Sequence, residues 1–537
     1  MEFGEALRTA TRPLNVLIEI IVFFILYVLF NWLVYPRYFS PLRNLPGPPL
    51  ENTILGHFGA IIKSGGSTLQ MGWVKEYGGV VRSVGPLGKE RLLMLRPEAL
   101  HKILVSDWMD YPKPNFLRKI LGLVAGYGLL AVTGNEHRQM RKAMNPAFSL
   151  PNLMAQTDMY FDAINTLVGV LKAQIARAPE PSKGKVFPMY EWMSKITLDV
   201  ICATGFGYYP NSLLNPDDEL TDAYDDLIGL QSGLNLAKFS GVVALPGMAR
   251  FLTSETGYKF RNLWKVVPGL ASVSTFIDSL YRLRRVSRKM LAEKLADSAV
   301  NVDDFSAKKD IMSLLVRARN GETKDGYKLS DEALVDQVLT FLGAGHETTA
   351  SGLSWSLWLL ATHPEVQQRL RDEVAPIFAE TDRPEYRVLK DLTMLDCVVM
   401  ESLRVLPPVP MTVREATKSD WIAGVYVPKG TLFQIPLRVV NTWEETWGPD
   451  ADQFRPERWL DLPSTYNPTF SMMSFIAGPK ACIGRTMGIS EMKAVLAAMV
   501  ANFEFAPSYE GQIAHPTAAI TMKPADNMPL LVTLVRK

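Results

Sequence analysis

Between Leu14 and Tyr35 the chain carries 22 consecutive residues that are almost wholly apolar. About 20 such residues cross the hydrocarbon core of a bilayer as one helix. The segment is therefore expected to be a transmembrane anchor, and the rest of the chain must fold while tethered beside a membrane. Trp32, Tyr35, Tyr38 and Phe39 gather at its far end, where amphipathic rings favour the water–lipid interface. Glu19 lies near its start, within reach of the headgroups. A cleaved signal peptide is the rival reading. Its apolar core would run about 7–15 residues and end at a small-residue cleavage site, whereas Tyr35-Pro36-Arg37 follows here.

Arg37 and Arg43 lead into Leu45-Pro46-Gly47-Pro48-Pro49, a proline cluster that cannot continue a helix and makes a stiff, extended spacer. The expected organisation is a tail (1–13), the anchor (14–35), a proline-rich neck (36–50) and one large body (51–537). No repeat or low-complexity linker interrupts the body, and its length supports a large core without disulfides. Three scattered cysteines, Cys202, Cys397 and Cys482, argue against an oxidised framework. Lys plus Arg number 57 against 55 Asp plus Glu. That balance provides no global field to recruit nucleic acid. Six histidines leave little material for a histidine-rich metal site.

Helical patterning dominates, so the body is expected to be mainly α with a small β part. Ser330-Asp331-Glu332 reads as a cap with an acidic first turn. The helix it opens runs on to His363-Pro364, roughly 50 Å at 1.5 Å per residue. Two strand pairs are expected: Val80 to Val84 with Leu92 to Leu95, and Gly424 to Val427 with Leu432 to Ile435.

The strongest chemical signal is Phe475-Ile476-Ala477-Gly478-Pro479-Lys480-Ala481-Cys482-Ile483-Gly484-Arg485, followed by an apolar helix to about Asn502. A thiol at a helix N-terminus meets free N–H groups and the positive end of the dipole, which favour the thiolate. Flanking glycines let the backbone approach a flat ligand closely. The bland alternative is a buried free cysteine, and that is the reading for Cys202 and Cys397, which lie within apolar helical runs.

The spacing Phe475-x-x-Gly478-x-Lys480-x-Cys482-x-Gly484 resembles the haem-binding loop of the cytochrome P450 family, with Lys480 in place of the usual Arg and Gly488 in place of a common Ala. The resemblance implies the cytochrome P450 fold and haem b, with Cys482 as the axial ligand of the iron and Phe475, Gly478, Lys480 and Gly484 against the cofactor. Ala344-Gly345-His346-Glu347-Thr348-Thr349 is similar to the family's oxygen-activation segment. There Ala344 and Gly345 would make room over the haem, Glu347 would relay protons and Thr348 would offer a hydroxyl to dioxygen. A zinc-protease reading of His346-Glu347 fails, because the second histidine position holds Ala350. Glu401, Arg404 and Arg458 match the family's buried structural charge network, with Trp459 where Phe is usual. Gly134 to Arg141 resembles the family's proximal helix, His137 standing where many members have Trp, a variant associated with fungal microsomal members. His137, Arg141, Arg414 and Lys480 are thereby expected at the haem propionates.

No dinucleotide fingerprint is present, since Gly205-Phe206-Gly207-Tyr208-Tyr209-Pro210 lacks a third glycine and opens no helix. The resemblance implies that electrons come from NADPH through the membrane-bound NADPH–cytochrome P450 reductase, with cytochrome b5 as a further donor. Arg138, Lys142, Arg485 and Lys493 would form a basic docking patch. A single-pass anchor in the endoplasmic reticulum, with a cytosolic body, follows from the same resemblance. So does a substrate pocket built from parts of 107–130 and 225–265, from Val409 to Val413, and from the closing segment Ala519 to Met522. These segments are apolar, which suits an apolar small molecule in secondary or lipid metabolism. The expected reaction is insertion of one oxygen atom from O2. The alternatives are a haem isomerase or dehydratase without external electrons, a haem sensor or carrier, and a cysteine hydrolase, for which no His–carboxylate partner is evident.

Overall fold

The structure, a computed structural model, describes residues 2–215, 218–230, 232–300, 310–321, 330–517 and 520–535. Ala519, in the expected closing segment, lies outside them. Longer helices are labelled α1 (Glu2–Leu29), α2 (Asn115–Ala125), α3 (Gly134–Met144), α4 (Leu150–Ala176), α5 (Met189–Phe206), α6 (Glu219–Gly229), α7 (Ala271–Val300), α8 (Asp331–Thr362), α9 (Pro364–Glu380), α10 (Thr393–Val405) and α11 (Arg485–Asn502). Three small sheets complete the body.

Helix α8 organises the body as its sequence predicts. Ser330 Oγ accepts the Ala333 N–H at 3.2 Å, satisfying one of the orphan donors of the first turn. His363 leaves helical geometry and Pro364 opens α9. The N-terminal half of α8 packs in a core with α5, α6 and α7. Its C-terminal half packs in a second core with α4, α10, α11 and the C-terminal strands. A third core lies under the largest sheet.

That sheet has the order Val80–Val84 (β1), Glu90–Met94 (β2), Leu432–Ile435 (β7), Thr412–Glu415 (β4). Strands β1 (Val80–Val84) and β2 (Glu90–Met94) form the expected antiparallel pair, Val80 opposite Met94. The second expected pairing is corrected. Val425–Val427 (β6) pairs with Asp420–Ile422 (β5) in a separate hairpin, while Leu432–Ile435 (β7) lies parallel to β2 and antiparallel to Thr412–Glu415 (β4). All four residues of β7 are buried. A strand enclosed on both faces gains more from a central position than from a local turn. A third sheet joins β3 (Lys185–Pro188), β9 (Pro529–Leu534) and β8 (Phe503–Pro507).

The apolar N-terminal helix runs beyond Tyr35, continuing as a wider turn through Pro36 to Phe39. Val16–Phe39 is long and apolar enough to cross a membrane, and its apolar 18-residue window is not buried in the body. Its far end is docked on the body: Trp32 Nε1 donates to Thr53 O at 2.6 Å, and Arg82 Nη2 to Pro36 O at 2.6 Å. The proline segment that follows lies along β1, where Arg82 N donates to Pro46 O at 2.8 Å. A Cβ on Gly47 would stand 2.0 Å from the Arg82 carbonyl. The neck therefore packs against the sheet rather than holding it away.

Candidate active site

The cysteine loop precedes α11, and its shape is set by one residue. Gly478 has φ +76°, and a Cβ there would stand 2.1 Å from the Leu104 carbonyl, so only glycine fits. Cys482 N donates to Phe475 O at 2.9 Å, closing the loop, and the Gly484 N–H reaches the thiol. The Cys482 side chain is exposed; desolvation by the surrounding protein raises its thiol pKa, while the Gly484 N–H, Arg141 and Arg485 lower it. A metal ion bound at the sulfur would favour the thiolate.

Beside the loop stands a cluster of cations. Arg414, 2% exposed, donates from Nη1 only to Thr412 Oγ1 and to the Val413 carbonyl. Lys480 Nζ reaches Thr133 Oγ1 at 3.3 Å and lies over the Trp108 ring. Burial, then repulsion from Arg414 and Arg118, pulls Lys480 down to about 8. Lys113 and Arg118, which the sequence reading passed over, belong to the same cluster. They donate to the Leu130 and Ala131 carbonyls at 2.8 and 2.9 Å. Burial, then Arg414, Lys480 and Arg118, holds Lys113 well below its ordinary value. Arg141 Nη1 donates to the Ala481 carbonyl, next to Cys482.

His137 lies among these cations. Burial, then repulsion from Lys480, Arg141 and Lys113, holds it near 4. Its Nδ1 is buried without a hydrogen-bond partner. Among the described residues none of Lys113, Arg118, Arg141, Arg414 and Lys480 has an acidic partner at ion-pairing distance. Gathering like charges is costly unless an anion joins them, so the cluster is built for one. A thiol ligand, a close-pressed glycine backbone and uncompensated cations together fit haem and its two propionates.

The oxygen-activation segment lies in the middle of α8. Thr348 Oγ1 donates to Ala344 O at 2.7 Å, and Glu347 Oε1 accepts from Thr521 Oγ1. Gly345 does not open space on the ligand side. Its missing side chain faces α5, where a Cβ would stand 2.8 Å from Ile201 Cδ1, so its smallness lets two helices approach. His346 is buried, bonds Ser194 Oγ at 2.8 Å, and is held neutral near 4 by burial. Helices α8 and α11 touch at Gly352, where a Cβ would meet Met492 at 3.1 Å.

Glu401, Arg404 and Arg458 are brought together as expected, all buried. The Glu401 carboxylate accepts Arg404 Nε and Nη2 at 2.8 Å each, Arg455 N at 3.0 Å and Arg458 Nε at 3.3 Å. It also accepts Trp459 Nε1 at 3.0 Å, so Trp459 adds a donor that Phe lacks. Asn441, a residue without any sequence signal, links this network to the cysteine loop. Its Nδ2 donates to Arg404 O at 3.2 Å and Ser474 Oγ at 2.8 Å, and its Oδ1 accepts Met473 N at 2.7 Å. Ser474 is followed by Phe475, which closes the loop.

One further expectation changes. Lys493 is not part of an exposed basic patch: its Nζ pairs with Asp396 at 2.8 Å and its side chain is 6% exposed. Arg138, Lys142 and Arg485 are exposed. An apolar cavity is lined by Ile120, Val124, Leu227, Leu236, Phe239, Phe276 and Ile520. Its lining draws on the expected segments 107–130 and 225–265 and on Ile520, joined by Phe276 of α7.

The sequence was compared with known proteins. The family model of cytochrome P450 matches residues 46–530. Cytochrome P450 monooxygenase 205 of Postia placenta is 34% identical over 493 residues, covering 87% of this chain and 86% of that protein. Cytochrome P450 monooxygenase sphH of Aspergillus fumigatus is 30% identical over 89% of this chain and 86% of its own length. Cytochrome P450 monooxygenase FUM15 of Gibberella moniliformis is 29% identical, over 89% and 85%. With that coverage, a helical body with small sheets and one apolar N-terminal helix, the chain belongs to the cytochrome P450 family and is an oxidoreductase of its fungal monooxygenase kind.

Proposed function

We propose that the protein is a membrane-anchored haem-thiolate monooxygenase that inserts one atom of O2 into an apolar small molecule. The carrying observation is the Gly478–Cys482–Gly484 loop beside cations that lack carboxylate partners. When bound, haem b supplies the iron at which dioxygen is reduced and cleaved. Cys482 Sγ would hold its iron. Arg414, Lys480 and Arg141, with Lys113 added, would neutralise the propionates, and the orphaned His137 Nδ1 would offer them a hydrogen bond. Phe475, Gly478 and Gly484 shape the loop surface against the cofactor. Ala344 would leave room beside the haem, Glu347 would take and give protons at its carboxylate, and Thr348, its hydroxyl now bonded to Ala344 O, would turn that hydroxyl to the bound oxygen. Glu401, Arg404 and Arg458 hold the loop in register.

The apolar side chains of Ile120, Val124, Leu227, Phe239 and Phe276 would form one wall of a water-excluding site for a lipid-like or secondary metabolite. Helix Val16–Phe39 anchors the chain in the endoplasmic reticulum membrane with the body in the cytosol. Electrons come from NADPH through NADPH–cytochrome P450 reductase, which docks on the exposed face carrying Arg138, Lys142 and Arg485, with cytochrome b5 as an accessory donor. The Glu347–Thr348 pair favours oxygen insertion over an isomerase or a haem carrier. The visible spectrum of the reduced, carbon monoxide-bound protein tests the reading. A strongly red-shifted Soret band, lost in Cys482→Ser, is expected; a well-folded, haem-loaded wild type without that band would refute it.

A further inference from the structure

The closing segment Ile520 to Lys523 is fastened along one stripe of α8. Glu347, Ser351 and Trp355 are spaced by four residues and therefore share a helix face. Thr521 Oγ1 donates to the Glu347 carboxylate. The next carbonyl, Met522 O, accepts Ser351 Oγ at 2.8 Å and Trp355 Nε1 at 2.5 Å, while Met522 N donates to Pro408 O at 2.7 Å. Three bonds on the neighbouring peptide groups thus fix the Thr521 backbone, so its hydroxyl is a preset donor. Thr521 is 4% exposed, and bulk water does not compete for the bond.

A counter-charge comes from the same segment. Lys523 Nζ donates to the Ile228 carbonyl at 2.7 Å and lies within electrostatic range of Glu347, which partly offsets the cost of its burial. Tyr190 and Tyr224 also lie in the field of this carboxylate, and both hydroxyls are buried without a hydrogen-bond partner. Ile520, one residue before Thr521, lines the apolar cavity together with Leu227, the neighbour of Ile228.

We propose that Thr521 is the positioning residue of the Glu347 carboxylate, with Lys523 as its counter-charge. The hydroxyl sets the rotamer from which Glu347 takes and gives protons, and the segment that carries it also meets the substrate. This rests on the reading of Glu347 as the proton carrier.

The test uses the full-length, haem-loaded protein in lipid nanodiscs, as wild type and as Thr521→Val, Thr521→Ser, Lys523→Met and Glu347→Gln, with thermal midpoints to check folding. One readout is independent of turnover: carbodiimide labelling of Glu347, resolved by peptide mass. The other is hydrogen peroxide released per NADPH consumed with reductase and no added substrate. Reducing O2 to peroxide takes two electrons and reducing it to two waters takes four, so the ratio reports how protons are delivered. Thr521→Val is expected to label Glu347 several-fold faster and at least to double the peroxide fraction, Lys523→Met to shift both in the same direction, and Thr521→Ser to behave as wild type. If Thr521→Val labels and partitions like wild type while Glu347→Gln raises the peroxide fraction, the proposal is overturned. If Glu347→Gln leaves the fraction unchanged, the reading of Glu347 falls instead, and the labelling still decides whether Thr521 holds that carboxylate.

Discussion

Replacing Asn441 by Leu is a sharp probe of how the body holds its cysteine loop. The swap keeps the branched shape but puts two methyl groups where the amide stood, at a side chain with no exposed surface, so lost hydrogen bonds and a tighter fit both add to its cost. Asn441 makes three close bonds: to Ser474 Oγ at 2.8 Å, from Met473 N at 2.7 Å and to Arg404 O at 3.2 Å. Ser474 Oγ keeps its own bond to Leu403 O at 2.6 Å, so that group is not stranded. The Met473 N–H and the Arg404 carbonyl lose this partner inside a buried region. Each stranded group costs about 1–3 kcal/mol, which gives roughly 2–6 kcal/mol, a large share of the ~5–15 kcal/mol of a typical fold. Because Met473 and Ser474 lead directly into Phe475, the loss falls on the segment that closes over Cys482. Asn441→Leu is therefore expected to lower the denaturant midpoint and to release haem faster in a chase with excess apomyoglobin. A variant within about 1 kcal/mol of wild type that keeps its haem would show that the Asn441 bridge does not brace the loop.

Three other perturbations follow from particular contacts. Trp459→Phe removes one donor from the Glu401 carboxylate and leaves four; with the acceptor still satisfied, the cost is about 1.5 kcal/mol, measurable as a shift in the denaturant midpoint. Gly478→Ala forces a Cβ to within 2.1 Å of a backbone carbonyl at φ +76°, so the loop must move; reconstitution with haem should fall at least tenfold, and normal loading would contradict the geometry. His346, 1% exposed and held near 4, binds no proton in the folded state until well below its unfolded value of 6.5. The unfolded chain takes up that proton first, so stability falls as pH drops from 6.5 to 4, by about 3 kcal/mol in all. His137 adds to the same slope. Chemical unfolding of His346→Phe against wild type should show a shallower loss across that window, and identical pH profiles would exclude His346 as its source.

The parts legible in the sequence share a physical character: each depends on residues close together in the chain. The Ser330 cap, the length of α8, the β1–β2 pair and the Phe475–Gly484 loop all rest on local spacing, so reading along the chain recovers them. What escaped that reading was assembled from distant segments. Strand β7 took a central place in the sheet and left β6 to a separate hairpin. Lys113 and Arg118 look like ordinary surface charges until the fold sets them beside Arg414 and Lys480. Lys493 looks free until α11 lays it against Asp396, and Gly345 looks like space for a ligand until α5 occupies that side.

The sequence by itself determined the apolar N-terminal helix, the helical class of the body, the lone loop cysteine and the acid–alcohol pair on α8, because spacing and residue chemistry are properties of the chain. Tertiary structure alone decided which cations gather without a carboxylate, that His137 is buried among them, and that the Thr521 hydroxyl reaches Glu347. Those outcomes depend on burial and on through-space distances of a few ångströms between segments more than 340 residues apart, and neither quantity exists until the chain has folded.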